Sequence, residues 1–307
     1  MRIFPFRKFV SVNEGGAAIK SARPIREDEF PATFDSIKSV LLPMMGLKED
    51  GSGYLMIGSI GKKPNPDDTS GDLDLGFEWE IVAKNLGVFG KKETLSFLNS
   101  KLEEELPEKL GFKPEMNLMV GLNILSIGWP IKGDPKFGTV QLDLIPLSDL
   151  SWAKFAYYAP DYKIGESKYK SAHRNWLFQS ILSAMKEVTE EDEEGNPLEI
   201  DTYVFDFSDG LFKVKKTFKG KRGRLKNPIK VEGSTRELVT NEPQEFLNFA
   251  MGPGFGLDEV KTFEDLLNAI KSPKFRDKNN RPEIRDEFKR YIERTPLVFP
   301  PEIETLK

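Results

Sequence analysis

Apolar positions along the chain switch between two periods. From Lys91 to Leu110 they recur at helical spacing, with Leu95, Leu98, Leu102 and Leu106 on one stripe. The same spacing links Phe34, Ile37, Val40 and Leu41, after the acidic start Glu27 to Pro31 and up to Gly46. A third helix is predicted from Lys168 to Val188, with Trp176, Leu177, Ile181, Leu182 and Met185 as its stripe. Further helices are predicted after the N-cap pair Ser148–Asp149, over Glu242 to Met251, from the Thr262/Asp265 capping box to Ile270, and over Pro282 to Arg294. Strands show instead as short apolar runs or strict alternation. They are predicted at Tyr54 to Ile57, Asp72 to about Trp79, Met119 to Trp129 and Phe137 to Ile145. Ile200 to Phe207 and Leu211 to Phe218 read as a hairpin turning at Ser208–Asp209–Gly210. The charge-rich stretch Thr189 to Pro197 is the clearest internal boundary.

This order predicts an α/β fold: a small mixed sheet with helices mainly on one face, then a helical C-terminal region. The expected division is a first domain over 1–188 and a second region over 198–307.

Composition narrows the chemistry. No apolar run approaches the ~18 residues of a membrane span. The first ten residues, Met1 to Val10, are broken by Pro5 and by charges and do not read as a secretory signal. The expectation is a cytoplasmic protein without membrane contact. There is no Cys, which excludes disulfides and thiolate metal sites. The single His, His173, excludes a His cluster and reads as a surface or helix-packing residue. A net charge of −4 offers no global attraction to nucleic acid, so any basic surface is local.

The stretch from Tyr54 to Phe77 carries the densest chemistry. Its apolar run ends in Gly58–Ser59, a polar loop with Lys62 and Lys63 follows, and the chain returns through Gly71–Asp72–Leu73–Asp74–Leu75. On a strand, Asp72 and Asp74 share one face and Leu73 takes the other. Two adjacent carboxylates repel, and a hard divalent cation relieves that conflict. Gly58 lets backbone approach a ligand, and Ser59 adds a hydroxyl donor. The plainer alternative is a pair of solvated loop acids. A third carboxylate, Asp143, sits between apolar neighbours in Gln141–Leu142–Asp143–Leu144–Ile145. Asp134, in a Gly-Asp-Pro turn, and Asp149, at a helix start, suit the role less well. Glu78 and Glu80 extend the alternation and read as solvent-facing.

The composite of apolar strand, Gly-Ser, Asp-apolar-Asp and a later strand carboxylate resembles the DNA polymerase beta-like nucleotidyltransferase superfamily. Within it the palm of the X-family polymerases comes closest, over roughly residues 50–185. The resemblance implies two Mg2+ or Mn2+ ions held by Asp72, Asp74 and Asp143, the catalytic residues. It implies an NTP gripped at Gly58 and Ser59, with Lys62 or Lys63 assisting. By position it makes Tyr157 and Tyr158 candidates for the nucleotide sugar, and Asn175 for the base. The chain departs from the family at Ala159–Pro160–Asp161, where a Thr-Gly-Ser step is usual, and it lacks a helix-hairpin-helix DNA-binding pattern.

From Lys213 to Lys230 every ionisable residue is basic. Lys219, Lys221, Arg222 and Arg224 are candidates for phosphodiester contacts, against the alternative of a solvated hairpin tip. The reading is a nucleotidyltransferase acting on an acceptor hydroxyl, with nucleic acid as the acceptor. Its rivals are an X-family-like DNA polymerase or terminal transferase, and a non-catalytic nucleotide or nucleic-acid binding protein.

Overall fold

In this computed structural model residues 18–57, 60, 65–157, 167–193, 197–218 and 231–307 are described. They form two compact units, which divide between Glu166 and Ser167.

The first unit opens with β1 (Ile25–Arg26), then α1 (Phe30–Ser36), a π-helical turn at Ile37–Leu41, and the short α2 (Leu42–Met44). The strands β2 (Tyr54–Met56), β3 (Thr69–Ser70) and β4 (Asp72–Glu78) follow, then α3 (Trp79–Leu86) and α4 (Lys91–Leu110). The hairpin of β5 (Met116–Met119) and β6 (Ile124–Pro130) leads into β7 (Thr139–Leu147) and α5 (Leu150–Tyr157). The main sheet has five strands in the order β2-β4-β7-β6-β5. Only β4 and β7 pair in parallel, so the sheet is mixed.

Alternation sets its two faces. Leu73, Leu75, Leu125, Ile127, Trp129, Val140, Leu142 and Leu144 are fully buried in one core with Leu95, Leu98, Leu102 and Leu106 of α4. Each such leucine is worth ~1.5–3 kcal/mol of burial, which outweighs the helix's weak intrinsic stability. Gly111, at φ 72°, then ends α4 in the left-handed conformation that glycine adopts without steric cost. On the opposite face Ile145 and Leu147 pack with Ile57 and with Ala153, Leu150 and Tyr157 of α5. That helix covers the C-terminal end of the face and leaves the stretch around Asp72, Asp74 and Asp143 to the acids.

A leading segment straps the sheet. Ala22 bridges Thr139, and Arg23 donates to both oxygens of Glu29 (3.0 and 2.8 Å) and to the Phe137 carbonyl. The hydrogen bonds from Arg23 hold Glu29 below the usual carboxylate range, against its burial.

The second unit begins with α6 (Ser171–Ala184), most of whose side chains are buried. A four-stranded antiparallel sheet follows, of β8 (Glu187–Glu191), β9 (Pro197–Asp206), β10 (Gly210–Phe218) and β11 (Val231–Thr240), in the order β11-β10-β9-β8. Then come α7 (Pro243–Met251), α8 (Phe263–Lys271) and α9 (Arg281–Ile292). Its core is aromatic: Phe178, Phe205 and Phe246 meet at 4.9–5.7 Å between ring centres, and Trp176 stacks on Tyr291. Where β8 ends, the Gln179 side chain takes its place at the edge of β9. It accepts from the Phe205 amide (3.0 Å) and donates to the Tyr203 carbonyl (3.1 Å).

Four expectations change. The C-terminal region is not mainly helical, because β8 and β11 extend the hairpin into a sheet. Both are edge strands. Exposed charges are how an edge avoids pairing with other chains, so β8 reads in sequence as a charged break. The unit boundary falls before α6, ahead of the expected break after Val188. The expected strand from Met119 to Trp129 is two strands, interrupted at 120–123, where Asn123 takes φ 54°. A helix, α3, occupies Trp79–Leu86, where none is expected from the sequence. The Thr262/Asp265 capping box forms as expected.

Candidate metal centre

The parallel register of β4 and β7 sets Asp72 opposite Gln141 and Asp74 opposite Asp143. Side chains two apart on one strand share a face, so all four project to the same side. One carboxylate oxygen from each of Asp72, Asp74 and Asp143 lies within 4.8 Å of the other two. Ionised carboxylates this close repel one another. Oxygens on one Mg2+, each ~2.1 Å from the ion, stand at most about 4.2 Å apart. Adjacent oxygens on an octahedral ion stand closer still, about 3.0 Å apart, so the three side chains would have to draw together to share one cation; their hard oxygen donor set fits Mg2+ or Mn2+.

Asp143 is the buried member at 7% exposure, while Asp72 and Asp74 are partly exposed. Burial pushes the Asp143 carboxyl up, and its hydrogen bonds from Ser126 and Gln141 oppose that shift. Ser126 Oγ donates to Oδ1 at 2.6 Å, and Gln141 Nε2 donates to both oxygens at 3.0 Å. Gln141 Oε1 in turn accepts from the backbone amides of Ala18 (2.9 Å) and Ile19 (3.1 Å). Sequence reasoning missed Gln141 and Ser126. The signal for Gln141 was its place two residues before Asp143 on the same strand; Ser126 carried none.

The other expected site residues divide. Gly58, Ser59, Lys62, Lys63 and Tyr158 lie outside the described residues, as do Lys219, Lys221, Arg222 and Arg224. Ile57, the residue before Gly58, donates its amide to the Asp74 carbonyl at 3.0 Å. Tyr157 packs with Ile145 and Leu147 under α5. Asn175 is 6% exposed within α6 of the second unit, and that burial argues for packing. His173 is also buried there; its ring nitrogens approach the Val298 (2.9 Å) and Lys170 (3.2 Å) carbonyls, which is a packing role.

Glu78 is half-buried rather than solvent-facing. Burial and the nearby Asp149 raise its pKa, while a bond from the Leu150 amide at the start of α5 lowers it. Asp134 and Asp149 are occupied in local turns, accepting from Lys136 N (2.9 Å) and Trp152 N (2.7 Å). The basic run is divided as well. Lys213 pairs with Asp201 (2.6 Å) and Lys215 with Glu199 (2.9 Å), so neither presents an uncompensated charge.

Among the described residues no helix is long and apolar enough to cross a membrane. No family model matches the chain, and no curated protein and no solved structure matches it.

Proposed function

We propose that the chain is a metal-dependent nucleotidyltransferase, moving a nucleoside monophosphate from an NTP to an acceptor hydroxyl with release of pyrophosphate. One observation carries this reading: Asp72, Asp74 and Asp143 converge on one face of a mixed sheet, from two strands paired in register. Like charges drawn together on one face are the arrangement that a hard divalent cation stabilises. Mg2+ or Mn2+ held there would supply charge stabilisation at the transferring phosphoryl oxygens and a more acidic acceptor hydroxyl.

The chain's own residues do the remaining work. The carboxylates fix where the phosphoryl group and the acceptor oxygen meet. Gly58 and Ser59 closely follow β2 in sequence, and in this reading they take the triphosphate with Lys62 or Lys63. The leucine face behind β4 and β7 keeps the two strands in register, so the carboxylates are set before substrate arrives. The acceptor in this reading is nucleic acid, contacted through Lys219, Lys221, Arg222 and Arg224.

The test is incubation with each α-labelled NTP and Mg2+ or Mn2+, with RNA, DNA and protein offered as acceptors. The expected result is labelled product and pyrophosphate with wild type, and neither with Asp74→Ala. Metal and NTP binding without turnover on any acceptor would replace this reading with a nucleotide-binding module.

A further inference from the structure

The face that carries the three acids has a fourth corner, and it holds a carboxamide. Gln141 stands opposite Asp72 in the register that sets Asp143 opposite Asp74. A Gln side chain has one accepting end and one donating end, and which end points where is decided by its neighbours. Here the neighbours leave no choice. Two backbone amides, from Ala18 and Ile19, converge on Oε1, so the oxygen must face the leading segment. The NH2 group must then face Asp143, whose two oxygens are both 3.0 Å away. Turned over, the side chain would set N–H against N–H at one end and oxygen against oxygen at the other.

Other side chains fail at this corner for definite reasons. A Lys or Arg would place a cation where the carboxylates need one of their own. A Glu would add a fourth negative charge and set acceptor against acceptor at Asp143. An Asn is one methylene shorter and would not span from Ala18 to Asp143. Ser126 holds Oδ1 from the neighbouring strand, so Asp143 is gripped from two directions.

We propose that Gln141 is a positioning residue for the metal centre, presetting the Asp143 carboxylate by coupling it to the strapped backbone at Ala18–Ile19. The proposal rests on the metal-centre reading above. Mg2+ demands near-ideal octahedral geometry at ~2.0–2.1 Å, whereas Ca2+ accepts looser arrangements of six to eight oxygens. A preset carboxylate therefore favours Mg2+ over Ca2+, and losing the preset costs discrimination before it costs charge attraction.

The experiment measures Mn2+ binding by electron paramagnetic resonance, with Mg2+ and Ca2+ as competitors, on the full chain. Gln141→Met keeps the size and removes both sets of bonds. Gln141→Glu keeps an acceptor for Ala18 and Ile19, removes the donation to Asp143 and adds a negative charge beside it, so it leaves the strap and disturbs the carboxylate. In both variants Mg2+ affinity is expected to fall about 10- to 100-fold, the range for partners of metal ligands, and Ca2+ affinity by less, so that the Mg2+/Ca2+ ratio falls. Thermal unfolding without metal identifies the folded variants. An unchanged Mg2+/Ca2+ ratio in either folded variant overturns the positioning role. Wild type that binds none of the three ions overturns the metal centre itself, and the proposal with it.

Discussion

Asp74 and Asp143 stand directly opposite each other across the one parallel strand pair of the main sheet, β4 with β7. Parallel register fixes their separation through backbone hydrogen bonds rather than through the side chains themselves. A change of either side chain therefore alters the chemistry of the site and leaves its frame.

Asp74→Ala is expected to remove the response to divalent cations. A cation at one hundred times its Kd stabilises a protein by about 2.7 kcal/mol. Wild type is expected to show a shift of that order in thermal unfolding with saturating Mg2+ or Mn2+, and Asp74→Ala none. Equal shifts in the two proteins would count against Asp74 as a ligand.

Gln179→Ala is expected to destabilise the second unit by about 2–3 kcal/mol. The change leaves the Phe205 amide and the Tyr203 carbonyl without their partner at the β9 edge, and an unsatisfied buried group costs ~1–3 kcal/mol. Chemical denaturation followed by tryptophan fluorescence measures this. A loss below about 0.5 kcal/mol, the scatter of neutral surface changes, would show that water replaces the side chain.

Glu302 gives the second unit an acid-sensitive tie. Lys168 and Tyr169 bond to its carboxylate and hold it down to about 2, from an ordinary 4.5. The folded value lies below the unfolded one, so the stabilisation is complete above pH ~4.5 and is lost as pH falls toward 2. Glu302→Gln is expected to flatten the dependence of Tm on pH in that window and to leave it unchanged above. The pair is partly exposed, so ~1 M salt is expected to weaken the effect.

The basic run is expected to act from its second half alone. Lys213 and Lys215 already pair with Asp201 and Glu199. Neutralising those two lysines should leave the salt dependence of RNA or DNA binding unchanged. Neutralising Lys219, Lys221, Arg222 and Arg224 should lower the slope of log K against log salt by ~0.7–0.9 for each phosphate that is no longer neutralised. A slope that both changes move equally would mean the cross-strand pairs open to bind nucleic acid.

Much of this was legible in the sequence, and the reasons differ by element. The α4 stripe and the alternation through Asp72 to Leu75 were readable because one face of each element is buried. Asp143 stood out because leucines flank it. Gln141 did not, because a neutral polar residue on a strand looks ordinary and its partners are backbone amides that no side-chain pattern encodes. Edge strands β8 and β11 escaped because they bury little and carry charge. The β5–β6 turn was signalled by Gly121 and Asn123 and was overridden by the apolar residues around them.

The parallel pairing of β4 with β7 also dictates an order of events during folding. Strands joined in parallel need a long crossover, and here α3, α4, β5 and β6 all lie between them. Bringing such distant segments together costs loop entropy before any contact repays it. The β5–β6 hairpin and α4 are local and escape that cost. Asp143 first meets Asp72 and Asp74 when β7 closes on β4, so its repulsion with them opposes that closure and no earlier step. A cation that binds them would therefore ease the pairing of β7 with β4 while leaving the helices and the hairpin to form at their own rates.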